Sequence, residues 1–175
     1  MTVLYLARHG ETDWNRELRI QGSSDIELNE LGRQQAQALA HELEHVELDA
    51  VYSSDLARAR ATAEAVAAFH GLEVRVDPRL RERAFGSWEG LTREEIEPIR
   101  QEGHDGETDE EVRERVLAAV QEIADRHPGE HVLVVAHGGC LNTFWHHANG
   151  ERVERWANCE VYKLAIRDGG FVRVD

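Results

Sequence analysis

The chain has 175 residues, 41% of them hydrophobic, and a formal net charge of −14; that length suits a single domain with its own core. Such acidity argues against a nucleic-acid partner, which would want a basic stripe, but leaves a small phosphorylated metabolite open, because a local pocket can oppose the global sign. No apolar run reaches transmembrane length and Met1 leads straight into the first apolar stretch, so neither membrane nor signal peptide is expected and the location reads as cytoplasmic.

Val3 to Ala7 is a short apolar run that breaks into Arg8-His9-Gly10, the pattern of a buried strand running into a loop. In open α/β sheets ligands bind just outside the carboxyl ends of such strands. An arginine fork suited to phosphate would stand there beside a histidine nitrogen nucleophile. Asn29 then caps a helix whose Leu31, Ala36, Leu39, Ala40 and Leu43 follow helical spacing to about His45. Val51-Tyr52-Ser53 forms a second strand starting near Leu48. Ser54 or Asp55 caps the next helix, which carries Leu56, Ala59, Ala63, Val66 and Ala67 and ends at a left-handed Gly71. Val74 to Val76 is a short strand closed by Asp77-Pro78.

A loop from Leu80 to Gly90 follows. Thr92 and Glu95 make a capping box for a short helix that stops by Pro98, and the polar, Gly-bearing stretch Gln101 to Glu107 is expected to be mobile. Thr108 and Glu111 make a second capping box, for a helix with Val112, Val116, Ala119, Val120 and Ile123 at core spacing, ended by Pro128-Gly129. His131 to Ala136 is the strongest strand; it breaks at His137-Gly138-Gly139, and a helix resumes from about Cys140 to Ala148. The last runs, Val161 to Ile166 and Phe171 to Val174, meet across Asp168-Gly169-Gly170 as a hairpin. Strands alternating with helices predict an α/β fold, a three-layer αβα sandwich with a mostly parallel sheet and the antiparallel hairpin at one side. No linker or repeat divides residues 1–175. Cys140 and Cys159 fit neither a metal-ligand spacing nor a disulfide framework and read as small buried residues, although a place near a helix start would lower the Cys140 thiol pKa.

Two strands thus end in the same chemistry, Ala7-Arg8-His9-Gly10 and Ala136-His137-Gly138-Gly139. Histidines at the ends of neighbouring parallel strands would face one crevice. Ser53-Ser-Asp-Leu-Ala-Arg58 adds an arginine one turn into a helix that follows a strand end, and Glu82 lies in the loop after the third strand. With these pieces in order, the chain resembles the histidine phosphatase superfamily, which includes the cofactor-dependent phosphoglycerate mutases. The matching stretches are Arg8 to Asn15, Gln21-Gly22, Ser53 to Ala59, Leu80-Arg-Glu82 with Phe85 to Gly90, Gly106-Glu107-Thr108 and His137-Gly138-Gly139. They run in family order from residue 4 to about 145.

The resemblance implies that His9 takes the phosphoryl group as a phosphohistidine and that Arg8, Arg58 and His137 hold the phosphate oxygens. Asn15, Gly22 and Gly138 complete the phosphate-binding positions, and Glu82 gives a proton to the leaving group. It implies no metal and no cofactor, since guanidinium groups stand where a metal would. The physical chemistry is consistent with that: a phosphoryl group in flight spreads charge over three equatorial oxygens, so positioned cations do most of the work. Phosphatase is the favoured activity. A mutase would need a long basic lid, whereas the lid here, about residues 91–107, is short, with Arg93 and Arg100 its only arginines; Arg93 falls where the mutase pattern has a lysine. A protein phosphohistidine substrate is a further alternative, and a non-catalytic phospholigand-binding module is the reading from another class. A homodimer stays open. Taken singly, Glu82 would pair with Arg79, Arg81 or Arg83, Arg60 would be solvated, and Trp14 and Trp88 would be packing residues. His41-Glu-Leu-Glu-His45 fits a zinc-protease helix motif, but helical phase turns His41 away from the apolar face, and a metal site is rejected.

Overall fold

A computed structural model of the chain describes residues 1–174. The strands are β1 (Val3–Arg8), β2 (Ala50–Ser53), β3 (Val74–Val76), β4 (His131–Ala136), β5 (Val161–Arg167) and β6 (Gly170–Val174). The helices are α1 (Asp13–Arg16), α2 (Glu30–Glu42), α3 (Ala57–His70), α4 (Arg93–Ile96), α5 (Asp109–Arg126) and α6 (Gly138–Asn149). The strands form one sheet in the order β3-β2-β4-β1-β5-β6. The first four of that order are parallel; β5 is antiparallel to β1, and β6 to β5.

Alternation along the strands sorts the core into two layers. Leu4 and Leu6 of β1, with Val132 and Val134 of β4, pack against Val116 and Val120 of α5 and Leu141 and Phe144 of α6. Tyr5, Ala7, Leu133 and Val135 point the other way, onto Leu39 and Ala40 of α2 and Ala63 and Val66 of α3. A strand buried on both faces needs apolar residues at every position, which is why β1 and β4 read as unbroken apolar runs. Each fully buried Leu or Val stabilises the fold by about 1.5–3 kcal/mol relative to exposure.

Register then positions the chemistry. The last pair of β1 and β4 is Arg8 with Ala136, so His9 and His137 leave adjacent strands side by side, and the His9 N–H donates to Ala136 O at 3.1 Å. On the other flank of β4, Ser53 pairs with Val135, which brings Ser54 level with the same strand end.

Several local expectations are corrected. Helix α2 ends at Glu42, with Leu43 as its C-cap, and β2 begins at Ala50. Neither Ser54 nor Asp55 caps α3; the cap residue is Leu56, and the Ala57 N–H instead donates to Asp25 Oδ1 at 2.8 Å. Helix α6 starts at Gly138, two residues earlier than its apolar pattern suggests. Beyond α4, Glu97–Glu102 continues as a 3-10 helix with Pro98 in its first turn, where the missing N–H costs nothing. The stretch read as mobile is tied down at its far end. The Glu107 N–H donates to Ala84 O at 2.8 Å, the Ala84 N–H donates to the Glu107 carboxylate at 2.8 Å, and a Cβ on Gly106 would lie 1.9 Å from Ala84 O. Among the described residues no helix is long and apolar enough to cross a membrane.

Candidate active site

The sheet collects Arg8, His9, Ser54 and His137 at the carboxyl ends of three adjacent strands. His9 is 2% exposed and its Nδ1 lies 2.6 Å from Gly10 O. A carbonyl only accepts, so Nδ1 carries the proton and Nε2 keeps its lone pair. Burial, then the charges of Arg58 and Arg8, hold the His9 pKa well below the ordinary histidine value. The ring is therefore neutral at physiological pH.

His137 is fully buried, and its ring centroid is 5.1 Å from that of His9. Its Nε2 lies 2.7 Å from Ser54 Oγ. Ser54 Oγ accepts from the Leu56 N–H at 3.4 Å, and Nε2 is the only acceptor its own proton has among the described residues, which makes Nδ1 the N–H of the imidazole. That Nδ1 is buried with no protein partner. Burial and the charges of Arg58, His9, Arg8 and Arg115 depress the His137 pKa well below normal.

Two guanidinium groups stand beside the imidazoles. Arg58, in the first turn of α3, is fully buried and donates to Ser24 O at 2.6 Å and Gly22 O at 2.7 Å. Burial lowers its pKa to about 10. Arg8 donates to Trp156 O at 2.7 Å; burial lowers its pKa too. Like His137, each arginine keeps one buried donor, Nε, with no protein partner. Gly22 has φ +53, and a Cβ there would meet the Glu89 carboxylate at 2.6 Å; only glycine lets this carbonyl turn toward Arg58. At Gly138 a Cβ would lie 3.3 Å from Arg8 Nε, crowding the same donor.

Glu82 sits on the N-terminus of α6. Its carboxylate accepts from the N–H groups of Gly139 at 2.8 Å and Cys140 at 2.9 Å, and from the Arg83 N–H at 2.8 Å. These amides have no intrahelical partner, and Glu82 supplies one. The plain ion-pair reading of Glu82 fails: Arg79 pairs with Asp77 and Glu122, Arg81 with Asp55, and Arg83 with Asp109. Asn15 faces inward less openly. Its Oδ1 accepts from the Thr12 N–H at 3.1 Å within a capping box, while its Nδ2 donates to no described residue.

The structure adds residues that sequence reasoning missed. Arg115 of α5 donates to the carbonyls of Arg79, Arg81 and Glu82 at 2.8, 2.7 and 3.1 Å and grips both Glu107 oxygens at 2.7 Å. It thus fixes the backbone that carries Glu82. Asn158 donates to His9 O at 3.0 Å. Ser54, which lies in the matched stretch Ser53 to Ala59 but was given no role beyond a cap, orients His137. No local pattern marks any of the three, since each partner is remote in sequence.

Cys140 is buried, and burial raises its thiol pKa, against the lowering expected from its place near a helix start. Cys159 is pushed up to about 12 by burial as well. The His41 side chain is 66% exposed, as the phase argument requires, and that of His45 is 91% exposed beyond the end of α2, each beside Glu44. Arg60 pairs with Glu64 on the surface. Two surface cavities of about 380 Å³ each, one between α5 and α6 and one against α3 and β3, include none of Arg8, His9, Arg58 and His137.

Known proteins share this sequence pattern and fold. The model of the histidine phosphatase superfamily (branch 1) matches residues 4–175. Phosphoglycerate mutase-like protein 4 of Arabidopsis thaliana is 40% identical over 184 residues, which cover 95% of this chain and 80% of that protein. Bacillus stearothermophilus YhfR superposes with a TM-score of 0.91 at 38% identity, covering 99% of this chain and 95% of its own. A phosphoserine phosphatase from Entamoeba histolytica, solved with phosphoserine, gives 0.90 at 28% identity over 100% and 96% of the two chains. The chain belongs to branch 1 of the histidine phosphatase superfamily. Its relatives bear the names of phosphatases and of mutases.

Proposed function

We propose that the protein is a metal-independent phosphatase that hydrolyses a small phosphomonoester through a phosphohistidine on His9. One observation carries the reading. Around a neutral imidazole with a free Nε2, three buried donors have no protein partner: Arg8 Nε, Arg58 Nε and His137 Nδ1. Unpaired buried donors are costly, and three of them suit the three equatorial oxygens of a transferring phosphoryl group.

In the first half-reaction His9 Nε2 attacks phosphorus, the ester P–O bond breaks, and Glu82 gives its proton to the leaving oxygen. Arg8, Arg58 and His137 gather the charge on the equatorial oxygens. In the second half Glu82 takes a proton from water, which attacks phosphorus as the N–P bond breaks and frees phosphate. Asn15, Gly22 and Gly138 line the loops around the phosphate. The lid supports hydrolysis over isomerisation, since one of its two arginines, Arg100, is already paired with Glu97.

The test uses radiolabelled p-nitrophenyl phosphate with an alkaline quench. Label should stay on the wild type, be lost in acid, and be absent from His9→Ala. Turnover should survive exhaustive chelation. Label on His9→Ala would overturn the mechanism; isomerisation of 3-phosphoglycerate outrunning its dephosphorylation tenfold would make the protein a mutase.

A further inference from the structure

We propose that Gln35 is a positioning residue for His9: by holding the Gly10–Glu11 peptide plane, it keeps the imidazole in the tautomer that leaves Nε2 free. The inference rests on the phosphatase reading above. The proton on His9 Nδ1 is held by Gly10 O at 2.6 Å, and which ring nitrogen is free follows from what the other one bonds. The direction of that carbonyl therefore decides whether His9 can attack. Gly10 has no Cβ to resist rotation of the plane that follows it, so another group must set the carbonyl.

The hydrogen bonds around His9 divide that work. Its N–H donates to Ala136 O at 3.1 Å, and its carbonyl accepts from Asn158 Nδ2 at 3.0 Å and from the Cys159 N–H at 3.3 Å. The Gly10 N–H donates at 3.1 Å to the Thr62 hydroxyl, which is fully buried and passes its own proton to Arg58 O at 2.8 Å. The His9–Gly10 plane is thus pinned at both ends. In the next plane Gly10 O takes the imidazole proton, and the Glu11 N–H donates to Gln35 Oε1 at 2.8 Å. Among the described residues that amide oxygen is the plane's only partner apart from His9 itself. Backbone contact puts Gln35 there. Asn29, the cap of α2, donates its N–H to Glu11 O at 3.0 Å and its Nδ2 to the Glu11 carboxylate at 2.9 Å. A Cβ on Gly32 would lie 2.0 Å from Glu11 O, and one on Gly10 would lie 2.5 Å from Gly32 O, so the first turn of α2 rests directly on the loop. Gln35 lies one turn beyond Gly32 on the same helix face. The chain of bonds runs from the Gln35 amide oxygen through the Glu11 N–H and Gly10 carbonyl to His9 Nδ1, and the members of such a chain polarise one another. The peptide backed by glutamine does for His9 what an aspartate does for the histidine of a Ser-His-Asp triad, fixing tautomer and ring direction. Unlike an aspartate, it adds no negative charge beside the incoming phosphate.

Heteronuclear NMR of protein carrying isotope-labelled histidine reads the tautomer directly, and rapid-quench uptake of label from radiolabelled p-nitrophenyl phosphate reads the attack. The wild type should show a protonated Nδ1 and a bare Nε2 at His9. Gln35→Met should mix in the form protonated on Nε2 and slow label uptake roughly 10- to 100-fold, with KM for the ester within about threefold of the wild type. Gln35→Glu keeps an acceptor for the Glu11 N–H and should recover tautomer and rate together. Gln34→Met, one residue away on the exposed side of α2, should leave both unchanged. Should Gln35→Met fail to fold, Gln35→Asn, which draws the acceptor back by one methylene, carries the same expectation. A Gln35→Met protein that keeps the wild-type tautomer, or that takes up label within about twofold of the wild-type rate, overturns the role of Gln35 and leaves the phosphatase standing. A wild type protonated on Nε2 overturns that role too. If the wild type neither takes up label nor releases nitrophenol, the phosphatase reading fails, and the ring spectra of wild type and Gln35→Met decide the tautomer claim by themselves.

Discussion

Replacing Arg115 by methionine keeps the apolar stem of the side chain and removes its five hydrogen bonds to the Glu82 loop and Glu107, leaving Arg79–Glu122 and Arg83–Asp109 as that loop's ties to α5. Three carbonyls, those of Arg79, Arg81 and Glu82, lose a donor, and Glu107 keeps only the Ala84 N–H at 2.8 Å. Removing one partner of a buried ion pair costs about 3–5 kcal/mol. Here the two side chains are 19% and 25% exposed, so water relieves part of that loss and the lower end applies, about 3 kcal/mol. For a chain of this size that is a fall in Tm of roughly 6–12 °C. Arg113→Met is the internal control: its pair with Glu110 lies on the surface, 48% and 59% exposed, and should cost no more than about 1 kcal/mol. Calorimetry or urea titration measures both. Kinetics adds a readout that stability alone would not move. A loosened Glu82 should slow hydrolysis of an alkyl phosphate more than that of an aryl phosphate, whose leaving group needs less protonation. If Arg115→Met costs under 1 kcal/mol and leaves the alkyl-to-aryl ratio unchanged, the loop is held without Arg115 and the reasoning is wrong.

Two further outcomes follow from the site and its loops. His9 and His137 are held neutral with depressed pKa values, so below about pH 6.5 the unfolded chain binds protons that the folded chain refuses; stability should fall with acid by about 1.4 kcal/mol per pH unit for each group. Urea midpoints between pH 7 and 5 check this, and a slope for His9→Gln as steep as the wild type's would contradict it. At Gly106 a Cβ would meet backbone, 1.9 Å from Ala84 O, whereas at Gly103 it would meet nothing within 4 Å, although φ is +74. Gly106→Ala should therefore cost about 1–3 kcal/mol through displaced backbone, and Gly103→Ala, at φ 74 and ψ −177, about 1–3 kcal/mol from backbone strain alone, since essentially only glycine adopts that conformation; a Gly106→Ala protein that melts with the wild type would show that Gly106 has room to move.

The strand-end chemistry was legible because burial leaves a local trace. Val3 to Ala7 and Val132 to Ala136 are apolar throughout, so the first polar residue after each, Arg8 or His137, marks where the sheet meets its crevice. Capping boxes at Thr92 and Thr108 were legible for the same reason, since donor and acceptor are three residues apart. What failed was non-local. The α3 terminus is satisfied by Asp25, 32 positions upstream, and α6 by Glu82, 57 positions upstream; a search for a neighbouring cap residue finds the wrong group in one case and none in the other. Arg115 looks like one more charge on the polar side of an acidic helix, and only the fold lays three carbonyls against it. The supposedly mobile stretch was misjudged because its composition is that of a loop, while its anchors, Ala84 and Arg115, lie on other elements.

The central place of β1 also governs how the chain must come together as it is made. Its partners are β4 and β5 alone, and Val3 waits for His131 across 128 intervening steps of chain. At about 5–20 residues per second, synthesis leaves this apolar strand without a partner for roughly 6 to 25 s. During that time two open edges of Val, Leu, Tyr and Ala are exposed to other nascent chains, and pairings this distant slow folding in any case. Arg8 and the acidic residues just after it are the kind of charged flank that keeps such a segment from associating. The site at the strand ends is then the last thing to exist: until β4 slides in beside β1, His9 and His137 belong to separate, unfinished pieces of the chain.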